Sequence, residues 1–131
     1  SIINSKLCDA SNYGINVNAD ITFPTTMNIN EDDMVIIFGN LLDNAIEGTE
    51  RCSCVNKYIY ISLIQIDNKL RICVMNSSDE VDTQNLKSSK SGNGLHGIGV
   101  SSIKKAVAQL NGVTSFEWED ETFTADILIE Y

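Results

Sequence analysis

The chain has little of what usually constrains a backbone or marks a chemistry. It contains one proline, Pro24, and one histidine, His96, in 131 residues. With so little proline and no long low-complexity run, disorder is excluded outside a single loop. A lone histidine reads more readily as a structural hydrogen-bonder than as a catalyst. No stretch of about 18 apolar residues is present, and no signal peptide, so neither a spanning helix nor a secretory leader is expected. Basic residues number 9 against 18 acidic ones, for a net charge of −9. That balance excludes a nucleic-acid or anionic-membrane surface, and an anionic ligand would need a local site or a divalent cation. The four cysteines are Cys8, Cys52, Cys54 and Cys73. Cys52 and Cys54 stand too close in sequence for an ordinary bridge and lack the C-x-x-C spacing of zinc or redox sites, so four reduced thiols in a cytosolic setting are expected. The opening Ser1-Ile2-Ile3-Asn4 has no Met and no cap, and the chain is expected to be part of a longer protein.

What the chain does have is a core. At 43% hydrophobic residues it can bury one, and its length fits a single domain over residues 1–131. The organising stretch runs from Ile36 to Glu47. Met34, Ile37, Phe38, Leu41, Leu42, Ala45 and Ile46 follow the i, i+3, i+4, i+7 rule and form one apolar stripe on a helix. Asn40, Asn44 and Glu47 fall along its flank as a polar ridge. Asn is a poor helix former that prefers caps. Two carboxamides one turn apart are therefore either tolerated surface amides or part of a site.

In chain order, Ile2 to about Tyr13 reads as a helix ended by Gly14, with Ile2, Ile3, Leu7 and Ala10 as its apolar side. Ile15, Val17, Ala19, Ile21 and Phe23 alternate with polar residues, as in a strand with one buried face closed by Pro24. A short extended piece near Met27–Ile29 follows. Asn30 is the N-cap of the central helix, with Glu31, Asp32 and Asp33 at the positive end of its dipole, and Gly48-Thr49 mark its end. Tyr58–Ile66 and Leu70–Met75 form a hairpin across Asp67-Asn68-Lys69. From Asn76 to about His96 there is no periodicity, which suggests a lid or binding loop. Gly97 or Gly99 opens a helix to about Gln109, with Val100, Ile103, Val107 and Leu110 inside, ended by Asn111-Gly112. Strands Val113–Glu119 and Phe123–Ile129 close the chain across Asp120-Glu121. The fold class is α+β: a two-layer α/β sandwich with a mixed, mostly antiparallel sheet and helices on one face.

Gly92, Gly94, Gly97 and Gly99 cluster at the end of the loop and the start of a helix, where free N–H groups and the dipole favour an anion such as phosphate. The literal match of Gly92-x-Gly94-x-x-Gly97 to the dinucleotide fingerprint lacks its context, since polar Ser88–Ser91 precede it and not a buried strand. No Gly-Lys-Ser/Thr follows, so it is not a P-loop either.

At this point a resemblance enters. Asn40-Leu41-Leu42-Asp43-Asn44-Ala45 resembles the N-box of histidine-kinase catalytic domains, members of the GHKL (Bergerat-fold) ATPase superfamily shared with DNA gyrase, Hsp90 and MutL. His96-Gly97-Ile98-Gly99-Val100 resembles the second glycine box at the end of the ATP lid. Joined with a hairpin ending in Val74-Met75-Asn76-Ser77, the set is similar to quorum-sensing sensor kinases of the Agr/VirS type of Gram-positive bacteria. The resemblance covers essentially the whole chain. It implies ATP and Mg²⁺ as ligands. Asn44 would ligate Mg²⁺, with Asn40 at the phosphates or in the Mg²⁺ shell. Asn76, where relatives carry Asp, would accept the adenine amino group, with Ser77 beside it. Gly94, His96, Gly97, Ile98 and Gly99 would line the triphosphate, and Lys87 and Lys90 would reach it from the lid.

The departures matter too. The first glycine box is replaced by Asn76-Ser77-Ser78-Asp79-Glu80, which implies looser adenine binding and a differently anchored lid. Glu47 stands where many sensor kinases carry Lys or Arg. Asn40 stands where gyrase-like hydrolases carry the Glu that activates water, so phosphotransfer is implied over hydrolysis. The same absent Glu argues against a serine kinase of the anti-sigma type. By the resemblance, the phosphoacceptor His lies on a separate dimerising helical hairpin upstream, Ser1–Tyr13 is the first helix after it, and a response regulator receives the phosphoryl group. The fragment is then a monomer and the cytoplasmic domain of a membrane-anchored bacterial protein. The alternative is a degenerate domain that keeps the fold as an interaction module.

Overall fold

A computed structural model of the chain describes residues 2–22, 29–83 and 94–131. In order, the elements are α1 (Ile2–Asn12), β1 (Asn16–Ile21), α2 (Glu31–Arg51), β2 (Tyr58–Ile66), β3 (Lys69–Ser77), α3 (Gly94–Gln109), β4 (Val113–Glu119) and β5 (Thr122–Glu130). The strands form one sheet in the order β1-β2-β3-β5-β4, with β1 and β4 at its edges. β1 pairs with β2 in parallel, with α2 lying between them in the chain, and every other pairing is antiparallel. The expected two-layer α/β sandwich is therefore present. Among the described residues no helix is long and apolar enough to cross a membrane.

Strand alternation sends Ile59, Ile61 and Leu63 of β2, Leu70, Ile72 and Val74 of β3, and Phe123, Ala125, Ile127 and Ile129 of β5 into the core. The other face of these strands stays partly open, and Arg71 and Asp126 pair across it through two charge-assisted hydrogen bonds of 3.0 and 2.7 Å. The α2 stripe fills the opposing layer. Met34, Ile37, Phe38, Leu41, Leu42 and Ala45 are buried as expected, while Ile46 is only half-buried at the margin. From α3, Val100, Ile103 and Val107 complete the core, with Leu110 half-buried.

Both short helix exits are built alike. At the end of α1, Gly14 has φ +78°; its N–H donates to Ser11 O at 3.1 Å, and Ile15 N–H donates to Ala10 O at 3.2 Å. This is the Schellman pattern, with buried Ala10 and Ile15 as its apolar contact. At the end of α3, Asn111 takes the left-handed position at φ 59°, Asn111 N–H donates to Ala108 O at 3.0 Å, and Gly112 N–H to Val107 O at 2.9 Å. The β4–β5 turn, Asp120 and Glu121, has φ 51° and 59°, the primed hairpin geometry that matches strand twist.

The main differences from the sequence reading are three boundaries and one burial pattern. α2 does not stop at Gly48-Thr49 but runs to Arg51, because both residues are buried and Thr49 has a polar partner on the sheet. β3 extends through Asn76 and Ser77, whose partners on β5 are Phe123 and Thr122. α3 starts at Gly94, since a glycine inside a helix costs about 1 kcal/mol relative to alanine and does not forbid it. β1 buries less than its alternation implies: Val17 and Ile21 are half-buried and Ala19 is exposed, as suits an edge strand. Phe23, Pro24 and the extended piece at 27–28 lie outside the described residues.

Two glycines have opposite expected responses to alanine. At Gly112 an added Cβ would meet Val107 Cγ1 at 2.6 Å and the Leu128 carbonyl oxygen at 2.8 Å. Gly112→Ala should cost about 1–3 kcal/mol by overpacking. At Gly39 it would meet nothing within 4 Å. Gly39→Ala should raise stability by about 0.5–1 kcal/mol through helix propensity. Urea unfolding of the two variants checks both signs.

Candidate functional site

Asn40 and Asn44 sit one turn apart on α2. Asn40 is half-buried and Asn44 only 4% exposed, so the ridge is partly folded into the interior. α2 packs on β3 and on α3, and those two elements carry Asn76, Ser77, Gly94, His96, Gly97, Ile98 and Gly99. Asn76 and Ser77 end β3, each 1% exposed. The Asn76 side-chain amide donates to the Ser77 carbonyl at 2.9 Å. With its NH₂ end so used, the atom it offers as an acceptor is the carboxamide oxygen.

The Ser77 hydroxyl is held by two neighbouring elements. It shares a hydrogen bond with Thr49 Oγ1 of α2 and accepts from the Tyr58 N–H of β2 at 3.1 Å. The next residues are tied as firmly. Ser78 N–H donates to Glu121 O at 2.8 Å, Trp118 Nε1 donates to Ser78 O at 3.2 Å, and Asp79 accepts from Ser53 N–H at 3.0 Å and Ser53 Oγ at 2.8 Å. A segment without glycine is thus anchored by polar ties to α2, β2, β4 and the β4–β5 turn. Thr49 and Ser78 escaped the sequence reading. Thr49 was masked by the stop signal of Gly48-Thr49, and Ser78 by its place in an aperiodic stretch. The Ser53 bonds hold the Asp79 carboxyl below its ordinary range.

The backbone of Gly94, His96, Gly97, Ile98 and Gly99 forms the first turns of α3. The four N–H groups of a helix that lack intrahelical partners are then those of residues 94–97. Lys87 and Lys90 lie outside the described residues. Glu47 is half-buried on the ridge, and its carboxyl is pushed above the usual range by burial, against the pull of Arg51 and with help from Asp43 and Glu50. Asp43 in turn pairs with Lys6 and so ties α1 to α2. A concavity of about 240 Å³ lies beside Ser77, with Cys54, Asn56, Tyr58, Asp120 and Glu121 among its walls. Asn40 and Asn44 are not part of it.

The cysteines depart from expectation. The sulfurs of Cys52 and Cys54 are placed in bonding contact, with a Cα–Cα distance of 5.2 Å. Cys52 leaves α2 with an extended backbone, φ −63° and ψ 139°. Two extended residues span about 6.6 Å, so at 5.2 Å the chain bends at Ser53, and the bend brings the two sulfurs together. Cys8 and Cys73 are free thiols.

The family model described as the GHKL domain matches residues 29–130. No curated protein matches the chain. Among solved structures, a nucleotide-free catalytic domain of the histidine kinase ThkA superposes with a TM-score of 0.79 at 18% identity, covering 98% of this chain and 91% of that one. The mycobacterial sensor histidine kinase MprB gives 0.75 at 16%, covering 98% and 91%. The Acinetobacter baumannii histidine kinase AdeS gives 0.74 at 16%, covering 98% and 62%. At these identities the likeness is one of fold.

Two predictions follow from the ridge and the knot. Thr49→Val should cost about 1 kcal/mol, the net worth of a hydrogen bond, read as a lower urea midpoint. A carboxyl with a raised folded-state pKa contributes stability that is present below its ordinary pKa and lost as pH rises through the raised value. Glu47→Gln should therefore melt higher than the parent at pH 7, and the gap should close as pH falls through the carboxylate range. Paired melting curves across pH check this.

Proposed function

The chain belongs to the GHKL domain family, and from that premise we propose that it is the ATP-binding catalytic domain of a sensor histidine kinase. It would be a transferase that passes the γ-phosphoryl group of ATP to a histidine on a separate helical domain. The observation that carries this reading is the amide of Asn44, buried on α2 beside half-buried Asn40, with a second buried amide, Asn76, ending the strand on which α2 packs.

The donor set suits the ligands. A carboxamide oxygen is a hard, neutral donor of the kind Mg²⁺ accepts. Asn44 would hold the ion with Asn40 in its shell, and the ion would supply charge neutralisation at the phosphates. The remaining work falls to the chain. Asn76 orients adenine by accepting a hydrogen bond from its amino group through the carboxamide oxygen. The N-terminal amides of α3, among them Gly94, His96 and Gly97, receive phosphate oxygens in line with the helix dipole. Ile98 and Gly99 follow in the same turn, and Lys87 and Lys90 add charge. At position 40 a carboxamide replaces the carboxylate that would activate water, so the acceptor is a protein side chain.

In this reading residues 1–131 are one ATP-binding domain of a longer kinase of the Agr/VirS quorum-sensing type. Its partners are its own phosphoacceptor hairpin and, through the whole kinase, a response regulator. The parent is a membrane-anchored protein of a Gram-positive bacterium, and this part lies on the cytoplasmic side as a monomer.

Titration with a fluorescent ATP analogue tests the proposal. Binding should saturate and depend on Mg²⁺. Asn44→Ala should abolish the Mg²⁺-dependent part while lowering stability by only about 1–2 kcal/mol, the scale of a lost buried hydrogen bond. Absence of saturable binding at millimolar nucleotide would overturn the kinase reading and favour an interaction module.

A further inference from the structure

One cluster outside the nucleotide-binding set remains unexplained. α2 ends at Arg51, and Cys52 is its C-cap. Asp79, just beyond β3, reaches the bend that follows and accepts two hydrogen bonds from Ser53, the residue between the cysteines, at 3.0 and 2.8 Å on one oxygen, Oδ1. The Cys54 N–H donates to Cys52 Sγ at 3.0 Å. The two sulfurs and a carboxylate oxygen of Asp79 all lie within 4.8 Å of one another. We propose that Cys52, Cys54 and Asp79, once the two sulfurs are reduced, form a binding site for a thiophilic divalent cation of the zinc class.

The chemistry converges on a cation. Thiolate and carboxylate are both zinc ligands, and three protein ligands leave a fourth position for water or substrate. A backbone N–H donated to sulfur stabilises the thiolate form. Ser53 orients the carboxylate as the outer-shell partners of metal ligands do. The C-terminal end of α2 carries the negative pole of its dipole, which favours a cation beside Cys52. Lys57 opposes it: it stands close enough to stabilise the Asp79 charge, although its Nζ is engaged with the Glu50 carbonyl at 2.9 Å. A concavity opens beside Cys54, with Asp120 and Glu121 in its wall.

Where the two sulfurs are joined, the site opens by a two-electron reduction. With a phosphine reductant, the S–S bond breaks, two S–H bonds form, and the oxygen of one water ends on phosphorus as the phosphine oxide. Binding of the cation then displaces the two thiol protons. A bound ion would tie the last turn of α2 to the segment leaving β3, so that the redox state of two cysteines sets how firmly that junction is held.

The test uses the whole chain and Zn²⁺ alone. Calorimetry on phosphine-reduced protein should show one Zn²⁺ per chain with proton release, and the oxidised protein should bind none. The C8S/C73S variant should bind as the parent does. The C52S/C54S variant should lose the site, and Asp79→Asn should weaken it by at least about tenfold, the scale of supporting-ligand loss. Binding that survives C52S/C54S, undiminished affinity in Asp79→Asn, or no binding by the reduced parent would overturn the proposal. Should C52S/C54S not fold, Co²⁺ added to the parent decides: a thiolate-to-cobalt charge-transfer band in the reduced form alone supports the site, and its absence there overturns it.

Discussion

Everything in this chain is positioned by the burial of one helix. α2 lies between parallel strands β1 and β2 in the chain and packs on β3, α1 and α3. Its apolar stripe turns toward the sheet and must stay there, since exposing even one such side chain costs about 1.5–3 kcal/mol. Fixing that stripe fixes everything else on the helix: Asn44 goes inward at its flank, Thr49 meets Ser77, and the helix ends where Cys52 and Cys54 converge. The polar features are a rotational consequence of where the apolar ones had to go.

The second constraint is the hydroxyl knot at the end of β3. Thr49, Ser77 and Tyr58 bring α2, β3 and β2 together at one buried point. The strand leaves that point already pinned by Ser78 and Asp79. A glycine-rich turn would leave this exit free to move. Here a serine-rich one closes it by hydrogen bonds, and the polar groups are satisfied: among the described residues no buried side-chain nitrogen or oxygen lacks a partner.

Much of this was legible in the residues. β2 and β4 match their sequence-predicted bounds because alternation and turn chemistry agree there. The α2 stripe and its Asn30 cap, whose side chain accepts from Asp32 N–H, were equally plain. What failed was punctuation. Gly48-Thr49 looks like a helix end, yet burial of both overrides the local signal. Gly94 looks like loop, yet α3 begins there and not at Gly97 or Gly99. The Cys-x-Cys spacing argued against an ordinary bridge, because sequence separation does not show a bend at Ser53 that turns its two neighbours toward each other. Of the candidate site, the helix ridge was readable because it sits on a periodic element, whereas Asn76 and Ser77 lie past the periodic part of β3 and were picked out by the resemblance alone. The ties from Thr49, Ser53 and Trp118 were not, because all of them are long-range.

The sheet order has a consequence for how the molecule meets its own copies. Its open margins are β1 and β4, where unpaired backbone groups could recruit a further strand. β1 presents Asp20 there and β4 presents Glu117 and Glu119, all exposed. Joining two margins would bring carboxylates together on a chain already carrying −9. This acidity serves as a solubility device, guarding the two places where an open sheet is most exposed to polymerisation.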